Sequence, residues 1–194
     1  MIRLAVAVKT HLGMVCLIWG LCLAAAAPAS ARKATLSGLV ATVTQNKVLV
    51  STTIKNAFDE QMEDAVKNGI PATFFFLFYL EQPNAMWFDT TVSEKQAIHT
   101  LTYDPLKSKY TVTRSWEEDT SYITDSFEEA CERMCKIEGM RLIHTNRLEK
   151  GKTYIINAKA ELDKKSLPLY LHYVFFFVSF WDVETEWTSI SFTY

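Results

Sequence analysis

The sequence predicts a mainly β protein: a two-layer β-sandwich, immunoglobulin-like or related, of about eight strands with two short helices. Three observations carry this. Runs of β-branched and aromatic residues recur between residues 36 and 192, punctuated by turn residues. Residues 73–80 and 169–181 are apolar on both strand faces, so each needs neighbours above and below. Helical spacing is confined to two short segments.

Residues 1–31 stand apart from that pattern and read as a secretion signal. Arg3, Lys9 and His11 make a weakly basic start, residues 12–26 are apolar or small, and Ala29-Ser30-Ala31 suits a signal peptidase. The expected mature chain is one domain, residues 32–194, placed in the periplasm or secreted. A retained anchor is the alternative, although the 15-residue run is shorter than the roughly 20 residues a span requires. Trp19-Gly20-Leu21 before Cys22 and Gly13-Met14-Val15 before Cys16 put a bulky residue ahead of each cysteine, which disfavours lipidation.

In the mature region, residues 36–44 and 47–54 form a hairpin across Gln45-Asn46, with Val48, Val50, Thr52 and Ile54 on one face. A helix follows, with stripe Phe58, Met62, Ala65 and Val66, a start capped by Asn56 and an end at Asn68-Gly69. Residues 73–80 are a central strand. Residues 95–103 and 110–116 pair around Asp104-Pro105-Leu106, and residues 117–124 are polar enough for a loop. A second helix opens at Asp125, with Glu128 completing a capping box, and stops at Gly139. A charged linker leads to a half-buried strand at 153–162, then to strands at 169–181 and 186–192.

Composition excludes some function classes. Cleavage after Ala31 removes two of the 20 basic residues and none of the 22 acidic ones, so a 163-residue chain of net charge −4 remains. Such a chain, without a basic cluster along its sequence, is poorly suited to nucleic acid or anionic lipid. It keeps two cysteines, Cys131 and Cys135, so no disulfide framework supports the fold.

Candidate chemistry is sparse. Cys131 and Cys135 share a helical face and could ligate a metal, but His99, His144 and His172 lie at no ligand-like spacing, and core packing explains both thiols better. No Gly-x-Ser-x-Gly or cysteine-protease pattern is present, and Glu117-Glu118 and Glu128-Glu129 suit a solvated surface or capping. His99 and His172 read as hydrogen-bonded sheet residues. No catalytic residue, metal or cofactor is expected. The carboxyl end is more specific: Trp181, Asp182, Glu186 and Trp187 place two indoles around carboxylates at a strand junction. They form either a cross-strand aromatic pair or a recognition patch for a cationic or sugar-like partner.

The ordered set Gly69-Ile70-Pro71, Leu101-Thr102-Tyr103-Asp104, Ser126-Phe127-Glu128-Glu129-Ala130, Ala160-Glu161-Leu162, Leu167-Pro168 and Phe180-Trp181-Asp182 resembles an exported bacterial family known as domain of unknown function 4390. The chain departs from that pattern at Leu169, where a proline is expected. The resemblance implies export to the envelope and a single domain; some members are encoded near a membrane sensor kinase, which implies sensing or interaction. The expectation is therefore a non-enzymatic envelope protein with a protein partner, the alternative being a carrier of an apolar ligand or lipid. No membrane span is expected after cleavage, and no nucleic acid.

Overall fold

Two antiparallel sheets face each other in the computed structural model, which describes residues 33–86, 88–117, 121–163 and 183–194. The expectations for residues 1–31, for the strand at 169–181 and for Trp181, Asp182 and His172 lie outside the described residues. In chain order the elements are β1 (Thr35–Val43), β2 (Lys47–Lys55), α1 (Glu60–Lys67), β3 (Ala72–Gln82), β4 (Thr90–Asp104), β5 (Lys109–Arg114) and β6 (Ser121–Thr124). They continue as α2 (Phe127–Cys135), β7 (Lys136–His144), a 3-10 turn (Thr145–Arg147), β8 (Thr153–Leu162) and β9 (Thr188–Thr193). One sheet runs β1-β2-β7 and the other β6-β5-β4-β3-β8-β9. The fold is the expected mainly β sandwich.

Alternation builds the interior. Val48, Val50, Thr52 and Ile54 of β2 are all buried, as are Phe74, Phe76, Phe78 and Leu80 of β3. Ile156, Ala158 and Ala160 of β8 lie beside them in register: Phe76 pairs with Ala160 and Phe78 with Ala158, so large rings sit next to small side chains. The opposite face of β3 is half-buried rather than closed. There Phe75 lies between Ile98 and Glu161, Leu77 between Gln96 and Lys159, and Tyr79 between Glu94 and Asn157. The aliphatic stems of those polar neighbours cover part of the rings and leave the rest to water.

A sheet of six strands is about 24 Å across between its outer axes and one of three about 10 Å, at roughly 4.8 Å per strand. The smaller layer cannot cover the larger, and the helices complete it. Phe58, just before α1, meets Phe74 edge-on at 5.6 Å and Phe127 of α2 at 5.8 Å, and Phe127 in turn meets Tyr110 of β5 at 5.5 Å.

Both helix starts differ from the expectation. Asp59, not Asn56, caps α1 by accepting from the Met62 amide at 2.9 Å. Asn56 instead takes a positive φ of 57° in the link from β2. Ser126, not Asp125, caps α2 by accepting from the Glu129 amide at 3.2 Å. Asp125 pairs with Lys109 at 3.3 Å, and Glu129 accepts from Thr124 at 2.6 Å. In both cases an oxygen on the residue immediately before the helix reaches the amide three positions on, which the more distant candidate cannot do.

Two strands replace expected irregular stretches. Residues 121–124 form β6 on the edge beside β5, and α2 ends at Cys135 instead of Gly139, passing directly into β7. β7 escapes a period-2 reading because two register shifts and Gly139, at φ 68°, break its alternation. Strand 153–162 falls where expected, β4 begins earlier than expected at Thr90, and β9 begins slightly later at Thr188.

Candidate functional site

The segment before β9 is held against β8 by Thr185, whose side chain accepts from the Ala160 amide at 3.0 Å while its own amide donates to the Ala160 carbonyl at 2.9 Å. That clamp places Trp187 on the outer sheet face. Its ring lies 5.6 Å from the Tyr79 ring, and the Lys159 ammonium stands 5.6 Å above it. Lys159 also pairs with Glu184, and its bond to that carboxylate raises its pKa. Glu186 turns aside to pair with Lys33, whose hydrogen bond holds the Glu186 carboxyl below the usual carboxylate range. The cation over the indole is thus supplied by the protein's own β8, and Trp187 packs on Tyr79 of β3. Of the four residues singled out at this end, Glu186 and Trp187 are described, and they face different partners.

A second polar centre, built around His99, was legible only in part. His99 alternates onto the buried face of β4 between Ala97 and Leu101 and is wholly buried. Its Nδ1 donates to the Met134 carbonyl at 2.7 Å, and its Nε2 accepts from the Trp116 indole N–H at 2.9 Å. One bond requires the proton on Nδ1 and the other an unprotonated Nε2, so the ring is neutral with a defined tautomer. Burial pushes its pKa down to about 4, assisted by the positive charge of Arg114. Arg114 is itself buried, pairs with Glu117 and stacks over Trp116 at 5.4 Å.

The Met134 carbonyl explains why a histidine stands here. A helix leaves its last four carbonyls without intrahelical donors, and α2 runs into β7 with no left-handed capping residue: Lys136 has φ −113° and ψ 128°. His99 supplies one missing donor from the facing sheet. Trp116, Arg114 and Glu117 are the partners sequence reading missed; the sole signal was their clustering at and just past the end of β5.

Cys135 is buried and Cys131 partly so, and both are free thiols. Burial pushes the Cys135 pKa up to about 12 and that of Cys131 up as well, the latter aided by its neighbour Cys135. Both therefore stay protonated and unreactive near neutrality. Among the described residues no group of three or more His, Cys, Asp or Glu side chains is placed to hold a metal.

A family model described as Domain of unknown function (DUF4390) matches residues 31–191, from ahead of β1 into β9. The chain belongs to this family. No curated protein and no solved structure matches it. The DUF4390 domain of this chain is thus the sandwich itself, and the match takes in the His99 centre and the carboxyl-end patch.

Proposed function

We propose that this DUF4390 protein is an exported, non-catalytic binding protein of the bacterial envelope that engages an envelope protein partner. The observation that carries the reading is the commitment of His99 to the fold. His99 has both nitrogens bonded within the core, and the Cys135 thiol, next along the chain from its partner Met134, is held protonated. A general base needs a free nitrogen within reach of a substrate, and His99 offers none. The export reading rests on the pattern of residues 1–31. The apolar-carrier alternative has less to stand on, because Phe74, Phe76, Phe78 and Leu80 fill the space between the sheets with their own side chains.

Two measurements test the reading. Amino-terminal sequencing of protein recovered from the envelope fraction should begin at Arg32; an intact Met1 on protein in the cytosol would overturn export. Crosslinking in intact cells, followed by mass spectrometry, should return one dominant envelope protein. A chain that crosslinks to nothing above background would contradict the binding role.

A further inference from the structure

Lys95, Arg141 and Arg147 are scattered along the sequence, yet the fold gathers them. On β4, Ser93 and Lys95 alternate onto the face that carries Ala97 and looks toward the three-stranded sheet. Ser93 Oγ donates to the Leu142 carbonyl of β7 at 3.0 Å, tying the two sheets together at this corner. On β7 the pairing jumps: Val48 lies opposite Ile143 while Leu49 lies opposite Arg141, so Leu142 is an extra residue. Leu142 and Ile143 are consecutive and both buried, which leaves Arg141 and His144 exposed on either side. A bulge re-aims side chains in this way.

The chain then turns through the 3-10 segment, which Thr145 pins. Its amide donates to the Asn46 carbonyl at 3.1 Å and its hydroxyl to the Gln45 carbonyl at 2.9 Å, with Thr145 and Leu148 both buried. Arg147 is therefore carried on an anchored turn. These elements bound a cleft of about 350 Å³, lined among others by Ser93, Glu94, Lys95, Arg141, His144 and Arg147. That volume lies within the small-molecule range.

Charge is what distinguishes this cleft. Some cations elsewhere sit beside carboxylates, as Lys33 does with Glu186, Lys67 with Glu63, Lys109 with Asp125 and Lys136 with Glu138, and others such as Lys47 and Lys55 stand singly among the described residues; here three without an ion pair line one cleft. The Lys95 and Arg141 side chains have neither hydrogen bond nor ion pair among the described residues, and Arg147 makes one long bond, 3.4 Å, to the Val92 carbonyl. The carboxylate at the rim, Glu94, lies opposite Tyr79 and alternates onto the outer face of β4, away from the side that carries Ser93 and Lys95. In a chain with more acidic than basic residues, three cations without an ion pair line one cleft against a single carboxylate, Glu94, which leaves a net positive charge for an anion to meet. Two guanidinium forks match the paired oxygens of a phosphoryl group, and an ammonium adds a third, less directional contact.

We infer that this cleft binds a phosphoryl oxyanion, carried by a soluble small molecule or by a phospholipid headgroup. The inference rests on the binding-protein reading and names the ligand chemistry of one site within it. Protein expressed from the full chain and purified from the compartment where it accumulates is titrated with inorganic pyrophosphate by calorimetry. Saturable binding at one site is expected, weakened by at least about tenfold in a Lys95→Gln/Arg141→Gln/Arg147→Gln variant. A Lys150→Gln/Lys152→Gln variant removes two exposed cations that do not line the cleft, and it should bind as the parent does. Thermal melting confirms that each variant is folded.

No saturable binding, or equal weakening in both variants, overturns the inference. Flotation with vesicles of phosphatidylcholine, with and without phosphatidylglycerol, separates the two sources. Pyrophosphate-sensitive flotation confined to the anionic vesicles points to a headgroup, and pyrophosphate binding without flotation points to a soluble ligand. Release of inorganic phosphate during the titration would sink the non-catalytic reading while leaving the site in place. Absence of binding in an exported, partner-crosslinked protein would sink the site alone.

Discussion

His99 and Arg141 are both basic side chains on strands of the sandwich, and the fold treats them in opposite ways. His99 lies in the core with a donor and an acceptor matched to its two nitrogens, so that one protonation state is built in. Arg141 sits at an open corner with no partner among the described residues. The difference follows from solvation. A buried polar group without its bonds costs about 1–3 kcal/mol, which makes completion of the His99 centre a condition of folding. An exposed guanidinium is solvated by water and needs no protein partner, so it stays free to meet a ligand. The core centre speaks to stability and the corner to function.

Perturbing each centre should keep this contrast. The largest effect belongs to the ring beside His99: Phe76, wholly buried and 4.7 Å from the imidazole, should cost about 4 kcal/mol when truncated in Phe76→Ala, read from urea unfolding. Acid acts next. In the fold His99 protonates only near pH 4, whereas in the unfolded chain it does so near 6.5, so between those values the unfolded state binds the additional proton. The contribution is therefore full above pH 6.5 and lost as pH falls through the window to about 4. The loss amounts to about 3 kcal/mol, from 1.36 kcal/mol per pKa unit. A denaturation midpoint that stays flat across this window, once carboxylate effects are matched in a His99→Gln control, would contradict the neutral buried imidazole.

Trp116→Phe should cost about 2 kcal/mol by leaving Nε2 without its donor, and it should narrow the acid window, because the neutral ring loses a bond that favours it. Ser126→Ala should cost about 1 kcal/mol in thermal or urea unfolding, while Asp125→Ala should fall within about 0.5 kcal/mol of the parent. Neutralising Lys95, Arg141 and Arg147 together should move stability least, within about 0.5 kcal/mol, since no protein contact of consequence is lost. A large destabilisation there would make the corner a structural element like the core centre.

How much of this was legible depended on whether the pattern was local. The alternation of β3 and β8 was plain in the residues, because each strand repeats large or small apolar side chains every second position without interruption. The starts of α1 and α2 were legible as capped but assigned to the wrong side chains, since Asp125 and Ser126 are both good caps and backbone geometry selects between them. β7 was lost because its bulge and Gly139 shift the inward positions from Met140 to the consecutive pair Leu142 and Ile143, which no fixed period describes. β6, four residues long with one buried side chain, carries too little apolar signal to separate it from a loop.

At the candidate sites, His99 could be placed on the buried face of its strand, but Trp116 and Met134 could not be named as its partners. The carboxyl-end residues Glu186 and Trp187 were singled out together, yet the side chains that engage them, Lys33, Tyr79 and Lys159, come from elsewhere in the chain.

The order of residues was enough to specify a mainly β domain, its central apolar strand and its family, since those depend on neighbours along the chain. Which hydrogen bond completes His99, and which cations meet at the β4–β7 corner, was settled by folding. Both depend on residues tens of positions apart being carried to within a few ångströms by sheet pairing and by a bulge whose register no local repeat encodes.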